Sequence, residues 1–565
     1  MESSETKFKN DKNMSKEEKE EKNYISERWT NGLTLRKKKL NAILSKKRGF
    51  EQFKKDGQKD YEIIKENLDI SFEIKNKKYD DLEQFLKEMK TYIQSENIEL
   101  NKYALYCIRT QTLNNDNFNN KNILSDLLHK KDFISDIFNL IQKYFDNKQV
   151  IYEGLWILIN VLYYEKENDE LVLYLSNNNC IQLYIKILDK KDNTLRLNIY
   201  WLLSNLLNNN TVGLTSQVLF HLYMTTFYRL YLFKDLEDYS NTLTEMELCS
   251  LVNILSRLSE FINETFIYLG KRDISKFTNY NKNVDYDSIQ ENNNYLFYHS
   301  LLIFMKYIEV PILTSSCIFG LSKLTNFLQG DIFLKFFESG IPRKIVKEQI
   351  KISDEEFINF GVQIVGNFLN CCNEELLDPI FIQETLSYFI KLLQTYPNRQ
   401  FLKRDIFWST SNIVTCNNIN FCDLFAKSGM LLLTLQSLVS DGDLVINEAL
   451  FILLSFFDPQ NIEIVLNYYN LDYTKNLFLC LKNLHSRCKP GEGYPNVNII
   501  EKLLICIGFL FEDGENLKRN FQNKFVKDFE KNGGFDLLEN MLTEKNLNSD
   551  LTNTIERLLD FRKDN

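Results

Sequence analysis

The sequence LWILIN at residues 155–160 returns as YWLLSN at 200–205 and as FWSTSN at 407–412. In each copy a tryptophan stands four residues before an asparagine: Trp156/Asn160, Trp201/Asn205 and Trp408/Asn412. Partial copies in the same phase have lost one or both of these residues: Cys249/Asn253, Phe319/Lys323, Gln363/Asn367 and Phe451/Ser455. The first residues of successive copies are 45, 48, 70, 44, 45 and 43 positions apart. A helical pattern with this period predicts stacked units, each of which buries its apolar face only against its neighbours.

The composition agrees with a chain built from long helices. Hydrophobic residues make up 44% of the 565 residues, and only seven prolines and 19 glycines interrupt them. Armadillo and HEAT repeats are roughly 40–47 residues long. We therefore expect an all-α, armadillo-repeat right-handed superhelical solenoid of about ten repeats. A basic N-terminal arm is expected to precede it. No run of 18 apolar residues occurs and the N-terminus lacks an apolar signal region, so we expect neither a membrane span nor a secretory signal.

The charge is divided unevenly along the chain. The net charge is −9, but the first sixty residues alone carry +6 and the remainder carries −15. We expect a disordered tail over 1–25, because it is charged and poor in hydrophobic residues. A basic arm over 26–56, a linker over 57–77 and a repeat domain over 78–565 are expected to follow. The Asn- and Tyr-rich stretch at about 270–295 is expected to be an insertion in a loop between helices.

The repeated tryptophan and asparagine are expected to form a ladder. Residues four apart lie on one face of a helix, so each tryptophan should stand beside its asparagine in every repeat. An asparagine amide both donates and accepts, which suits it to the backbone of an extended peptide. A tryptophan ring attracts Lys or Arg, worth roughly 0.5–2 kcal/mol. Asn253 and Asn367 belong to the predicted ladder although their tryptophan is absent. The alternative, core tryptophans and turn-capping asparagines, explains three complete pairs in phase less well.

Acidic residues stand three positions before the tryptophan position in three repeats: Glu153, Asp405 and Glu448. This spacing places each of them about one helical turn away on the same side. Carboxylates beside an aromatic groove favour Lys or Arg, although one exposed pair contributes only about 0–1 kcal/mol. The predicted ligand is therefore an unfolded basic peptide. The alternative for each carboxylate is an ordinary solvated surface charge.

Several segments resemble importin α, the armadillo adaptor that carries nuclear-localisation-signal cargo. YWLLSNL, FWSTSNIV and GLSKL are similar to the repeat core of that family, and GVQIVGNFLN at 361–370 resembles its sixth repeat. LRKKKLNAILSKKRGF at 35–50 is similar to the importin-β-binding segment, and FVKDFEKNGGFDLLENML at 525–542 resembles the last repeat. The resemblance covers about residues 28–565.

The resemblance implies two peptide sites and a regulatory arm. The major cargo site would comprise Trp156/Asn160, Trp201/Asn205 and Asn253. The minor site would comprise Trp408/Asn412 and Glu448. The arm would bind importin β, and would occupy the groove in its absence, through Arg36, Lys37, Lys38, Lys39, Lys46, Lys47 and Arg48. The implied partners are importin β, basic nuclear-localisation-signal cargo, and a recycling exportin with Ran-GTP. The protein would shuttle between cytoplasm and nucleus through nuclear pores.

Four residues depart from the family pattern. The aspartate that follows the third-repeat asparagine by four residues is Asn209 here, and the fourth-repeat tryptophan is Cys249. The eighth-repeat pair has become Phe451/Ser455. Loss of a carboxylate from a lysine pocket weakens binding by about 1.5–3 kcal/mol. We therefore expect a weakened or specialised major site.

Other functional classes fit the sequence less well. There is no phosphate-loop, HExxH or GxSxG motif and there are only four histidines, so we expect no enzyme, no cofactor and no metal site. Eleven cysteines scattered mostly through apolar runs indicate reduced structural thiols. The acidic body disfavours direct nucleic-acid binding, and no membrane partner is expected. The competing function is an armadillo scaffold that holds partner proteins without a transport cycle, and such a scaffold has no need of a basic arm.

Overall fold

The structure, a computed structural model, describes four main stretches of the chain: residues 68–113, 131–208, 245–261 and 294–563. Gaps within them fall at 76, 78, 80–81, 165–168, 191, 329, 353–354, 373–375, 417, 488–492, 517–522 and 545–546. Four further residues are described singly: Leu222, Tyr223, Thr226 and Leu230. Within the described stretches every regular element is a helix. The predicted all-α repeat class is confirmed.

The chain divides into two compact units, Met1–Phe304 and Met305–Asn565. The described helices that lie wholly in the first unit are α1 Phe72–Lys75, α2 Leu82–Ile93, α3 Ile98–Leu113, α4 Lys131–Lys143, α5 Lys148–Tyr164, α6 Asp169–Leu175, α7 Asn178–Leu188, α8 Asn193–Asn208 and α9 Glu245–Leu258. The next helix, α10 Asn294–Tyr307, contains the point of division.

The second unit is likewise built from consecutive helices. Those described are α11 Thr314–Leu324, α12 Gly330–Glu338, α13 Ile341–Val346, α14 Glu355–Cys371, α15 Pro379–Thr395, α16 Gln400–Val414, α17 Ile419–Lys427, α18 Met430–Ser440, α19 Asp443–Phe456, α20 Ile462–Asn467, α21 Tyr473–Ser486, α22 Val497–Asn516, α23 Lys524–Lys531, α24 Gly534–Glu544 and α25 Ser549–Lys563.

One helix from each repeat packs on its counterpart in the next repeat. In the first unit α3 packs on α5, α5 on α8 and α8 on α9. In the second unit α11 packs on α14, α14 on α16, α16 on α19 and α19 on α22. These contacts are among the most extensive between helices in each unit. We call these nine helices the ladder helices, because seven of them carry the repeated tryptophan and asparagine positions and the other two, α3 and α22, pack on them in the same way.

Local sequence explains where helices begin and turn. Asp378 precedes α15 and accepts a hydrogen bond from the Phe381 amide at 2.7 Å. Pro379, the first residue of that helix, has no amide hydrogen to leave unpaired. Gly429 joins α17 to α18 with φ of 89°, a left-handed conformation that residues with a Cβ seldom adopt. The two helices are therefore bent by 68° relative to each other.

Several predicted segments fall on residues that the structure does not describe. The tail over 1–25, the basic arm over 26–56 and Asn209 lie outside the described residues, as does all but the end of 270–295. The short helix α1 lies within the predicted linker over 57–77. Among the described helices no single one is long and apolar enough to cross a membrane. Two pairs of consecutive helices, bent by 68° and 71°, reach that length and apolar character only when each pair is taken as one segment.

Candidate functional site

The ladder asparagines tie neighbouring ladder helices together. Asn205 Nδ2 donates to the Ile159 carbonyl at 3.4 Å, and Asn412 Nδ2 donates to the Gly366 carbonyl at 3.0 Å. Each acceptor stands immediately before the asparagine of the preceding repeat. The other bonds from Nδ2 run from Asn160 to Thr112 Oγ1 at 2.9 Å, from Asn253 to Ser204 Oγ at 2.7 Å, and from Asn367 to Thr325 Oγ1 at 2.9 Å and the Ser322 carbonyl at 3.4 Å. Every predicted ladder asparagine is thus held by the helix before it.

This arrangement fixes which end of each amide is engaged. The amide nitrogens donate within the protein, whereas no residue in the described stretches donates to Oδ1 of Asn160, Asn205, Asn367 or Asn412. A carbonyl oxygen has two lone pairs for N–H donors. Each of these four asparagines therefore presents an acceptor in a fixed orientation, which matches the backbone amides of an extended chain.

The tryptophans differ in how far they are exposed. Trp156 is only 6% exposed, and its ring meets that of Trp201 edge to face at 5.3 Å between centroids. Trp201 itself is half-buried. Trp408 is also half-buried and packs over Gly366, where any side chain would collide with the indole. Trp201 and Trp408 are accordingly the two rings with enough free surface to contact a ligand.

Two of the three predicted acidic neighbours are occupied by the protein itself. Glu153 is fully buried and forms an ion pair with Arg109 of α3. Asp405 is 2% exposed and accepts from Arg404 Nε and Gln363 Nε2, both at 2.8 Å. The expectation that these carboxylates attract a basic peptide is therefore corrected. Position i−3 faces the adjacent ladder helix, where each carboxylate is buried and needs a partner from the protein.

Glu448, the third predicted carboxylate, is half-buried. Asn447 Nδ2 donates to its Oε1 at 3.2 Å. Burial raises the pKa of Glu448, while that hydrogen bond and the charges of Arg404 and Lys502 act in the opposite direction. Of the three, Glu448 keeps the most surface available for a ligand, and its charge is shared with two cations of the chain.

Lysines of the protein lie over the aromatic rings of the two repeats that have lost asparagine. Lys502 Nζ of α22 is 3.8 Å from the centre of the Phe451 ring and donates to Asn447 Oδ1 at 2.7 Å. Lys323 Nζ is 5.3 Å from the Phe319 ring centre and 5.7 Å from that of Phe360. The sequence contained a signal for Lys323, which replaces the asparagine. Lys502 comes from the next ladder helix and had no such signal.

No group of three His, Cys, Asp or Glu residues in the described stretches is placed to hold a metal ion. The ten described cysteines, among them Cys371, Cys372, Cys416 and Cys422, are free thiols. The basic residues predicted to bind importin β, from Arg36 to Arg48, lie outside the described residues.

Comparison with solved structures bears on the fold. An engineered protein from a structural genomics consortium matches with a TM-score of 0.56 at 12% identity, covering 85% of this chain and 99% of that chain. A designed armadillo repeat protein in complex with the peptide (KR)4 matches with a TM-score of 0.35 at 18% identity, covering 46% and 98%. A second designed armadillo repeat protein matches with a TM-score of 0.34 at 16% identity, covering 46% and 98%. No protein-family model and no curated protein matches the sequence.

Proposed function

We propose that the ladder binds an extended polypeptide segment and that the protein is a nuclear import adaptor of the importin α type. The observation that carries the first part is the common orientation of the ladder amides. Their nitrogens are held by the preceding helix, and four of the Oδ1 atoms have no donor among the described residues. Such a row of acceptors recognises a backbone, whatever the side chains of the bound peptide.

The spacing of the ladder suits an extended chain. Packed helices are about 8–10 Å apart, and an extended chain advances about 3.3 Å per residue. Successive asparagines would therefore meet every second or third peptide residue. Each hydrogen bond contributes about 0.5–1.5 kcal/mol net. Several rungs are needed for useful affinity.

The basic character of the ligand rests on fewer groups than the sequence indicated. Trp201 and Trp408 are half-buried rings, and each can attract a cation by roughly 0.5–2 kcal/mol. Glu153 and Asp405 add nothing to this attraction because they are buried and already paired. A basic signal peptide is therefore expected to bind more weakly than it would to a ladder with free carboxylates.

The transport cycle is proposed from the resemblance of the N-terminal arm. The cluster Lys46, Lys47 and Arg48 would bind importin β, and would compete with cargo for the ladder when importin β is absent. A short flexible tether gives an effective concentration in the millimolar range, so weak contacts suffice for this competition. A recycling exportin with Ran-GTP would complete the cycle between nucleus and cytoplasm.

Peptide binding is tested by fluorescence anisotropy with the full chain and a labelled lysine-rich signal peptide. Asn205→Ala should weaken binding, because it removes an acceptor from the ladder of the first unit. Asn476→Ala is the matched control, since Asn476 Nδ2 donates to the Leu471 carbonyl at 3.2 Å at the start of α21, away from the ladder helices. Equal effects of the two substitutions would argue against the ladder as the site.

The import function is tested separately, by a pull-down of importin β with the full chain. Replacing Lys46, Lys47 and Arg48 together with alanine should abolish capture, and Ran-GTP should release importin β from the unaltered chain. The same triple replacement should strengthen binding of the signal peptide, since it removes the competitor. If the chain binds peptides but never importin β, the scaffold function is the correct one.

A further inference from the structure

The ladder of the second unit is occupied at both ends by lysines of the chain itself. At one end Lys502 lies on the Phe451 ring, and at the other end Lys323 lies near the Phe319 and Phe360 rings. Between them stand Asn367 and the pair Trp408/Asn412, described above. We call the tryptophan and asparagine positions of one repeat a step. In the second unit the step at Trp408/Asn412 thus lies between two steps whose aromatic rings already contact a lysine of the chain.

We propose, building on the peptide-binding function above, that this unit takes an extended peptide with a single basic residue at Trp408 and acidic residues on both sides of it. Lys323 and Lys502 exclude further basic residues from the outer steps and attract carboxylates there. The ligand is therefore a peptide of mixed charge, and a continuous basic run fits the second unit poorly.

The Phe451 step illustrates the exclusion. An ammonium 3.8 Å from the ring centre covers the ring face that a ligand cation would use. The same ammonium donates to Asn447 Oδ1 at 2.7 Å, which fixes it in place. A second cation near this face would meet a like charge at close range, which is unfavourable. Phe451, although 43% exposed, is therefore an unfavourable site for Lys and Arg.

The backbone acceptor is missing from the same two steps. Ser455 replaces asparagine beside Phe451, and its hydroxyl donates to the Phe451 carbonyl at 3.4 Å. Lys323 replaces asparagine beside Phe319, and an ammonium cannot accept a hydrogen bond. A peptide crossing these steps gains no ladder bond from the asparagine position. What the steps offer instead is positive charge, which selects carboxylates.

The Trp408 step differs from both in its free acceptor and its local charge. Asn412 Nδ2 is tied to the Gly366 carbonyl at 3.0 Å, so its oxygen stays available to a peptide amide. Glu448, half-buried on the adjacent ladder helix, keeps part of its surface available, although its charge is shared with Arg404 and Lys502. Gln363, at the tryptophan position of the preceding step, donates to Asp405 at 2.8 Å and has no ring for a cation. A single cation site results.

The test compares two peptides that share a central lysine. The first carries glutamate three residues to one side of it and six residues to the other, made in both chain directions, because the Phe451 step is one repeat and the Phe319 step two repeats from Trp408. The second carries lysine at those positions. All proteins carry Trp201→Ala and Asn205→Ala, which disable the ladder of the first unit. We expect the glutamate-flanked peptide to bind about five- to tenfold more tightly. With Lys502→Ala the ratio of the two peptide affinities should fall about threefold, and adding Lys323→Ala should lower that ratio further.

Lys482→Ala is the matched control. Lys482 Nζ also lies over a phenylalanine, 6.0 Å from the Phe478 ring centre, but it belongs to α21. The substitution changes the net charge equally and should leave the ratio of affinities as it is. Tighter binding of the lysine-flanked peptide, or a ratio that ignores Lys502→Ala, would overturn the inference while leaving peptide binding intact. If neither peptide binds, the inference fails, whereas the proposed function is judged separately by binding of the signal peptide to the chain with Trp201 and Asn205 intact.

Discussion

Replacing Gly366 with alanine tests whether Trp408 depends on its neighbour in the preceding repeat. A Cβ on Gly366 would collide with Ser409 Oγ and Trp408 Cζ3, and would lie 3.0 Å from Trp408 Cε3. Ser409 cannot turn away without cost, because its hydroxyl donates to the Asp405 carbonyl at 2.8 Å. The indole must therefore move out of the position in which it stands on the ladder.

The magnitude follows from two opposing effects. Alanine in a helix interior is favoured over glycine by about 0.5–1 kcal/mol. Overpacking of a tight contact costs about 1–3 kcal/mol. Gly508 in α22 provides the control, because its Cβ would meet Leu558 Cδ2 at an ordinary 3.6 Å. Gly508→Ala should raise the free energy of unfolding by about 0.5–1 kcal/mol. The free energy of unfolding of Gly366→Ala should be about 1–3 kcal/mol lower than that of Gly508→Ala.

The free energy of unfolding is measured by urea titration followed by circular dichroism, and the indole by tryptophan fluorescence. Gly366→Ala should also weaken binding of the glutamate-flanked peptide described above, whereas Gly508→Ala should leave that binding unchanged. If both alanine variants gain stability equally and the fluorescence of Trp408 is unaltered, the packing of Trp408 on Gly366 is wrong.

Three further results are expected. Glu153→Gln removes the carboxylate that forms an ion pair with the buried Arg109, so the free energy of unfolding should fall by about 3–5 kcal/mol in urea titration. A loss smaller than about 1 kcal/mol would contradict the importance of this pair. Burial raises the pKa of Asp513 from 3.8 to about 6, so its contribution to stability is complete below pH 4 and is lost as the pH rises through 6. Asp513→Asn should flatten this part of the stability profile and raise the free energy of unfolding at pH 8 by about 2–3 kcal/mol. Trp408→Ala should weaken binding of the glutamate-flanked peptide, which has one central lysine, by roughly 0.5–2 kcal/mol as measured by fluorescence anisotropy. Unchanged binding would exclude Trp408 from the site.

The repeat and its asparagine ladder could be predicted from sequence because both follow one period. Residues 45 apart at Trp156 and Trp201 lie on ladder helices that pack directly, and their rings touch. The bonding of the amides could not be predicted, because the acceptors at Ile159 and Gly366 are backbone carbonyls. Every residue carries a backbone carbonyl, so the residue type does not indicate which carbonyl accepts the bond.

The burial of Glu153 and Asp405 could not be predicted, for a different physical reason. Helical spacing places Glu153 on the same side of α5 as Trp156, but it does not say which neighbour covers that side. Arg109 lies 44 residues earlier, one repeat back, and this offset is the signal that identifies the pair. Lys502 lies 51 residues after Phe451, which is not a repeat length. Its contact with the ring emerges only from the packing of α19 on α22.

The structure separates two properties that the repeated phrase combines. Asparagine stitches each ladder helix to the one before it, so its retention at Asn253 and Asn367 has a structural reason even where tryptophan is lost. The tryptophans differ in exposure, and under the proposed function the half-buried Trp201 and Trp408 mark the steps that would contact a ligand. Where asparagine itself is lost, at Lys323 and Ser455, a lysine of the chain lies on the aromatic ring. A step without the amide cannot anchor a peptide backbone, and its ring then stabilises the fold by an internal cation.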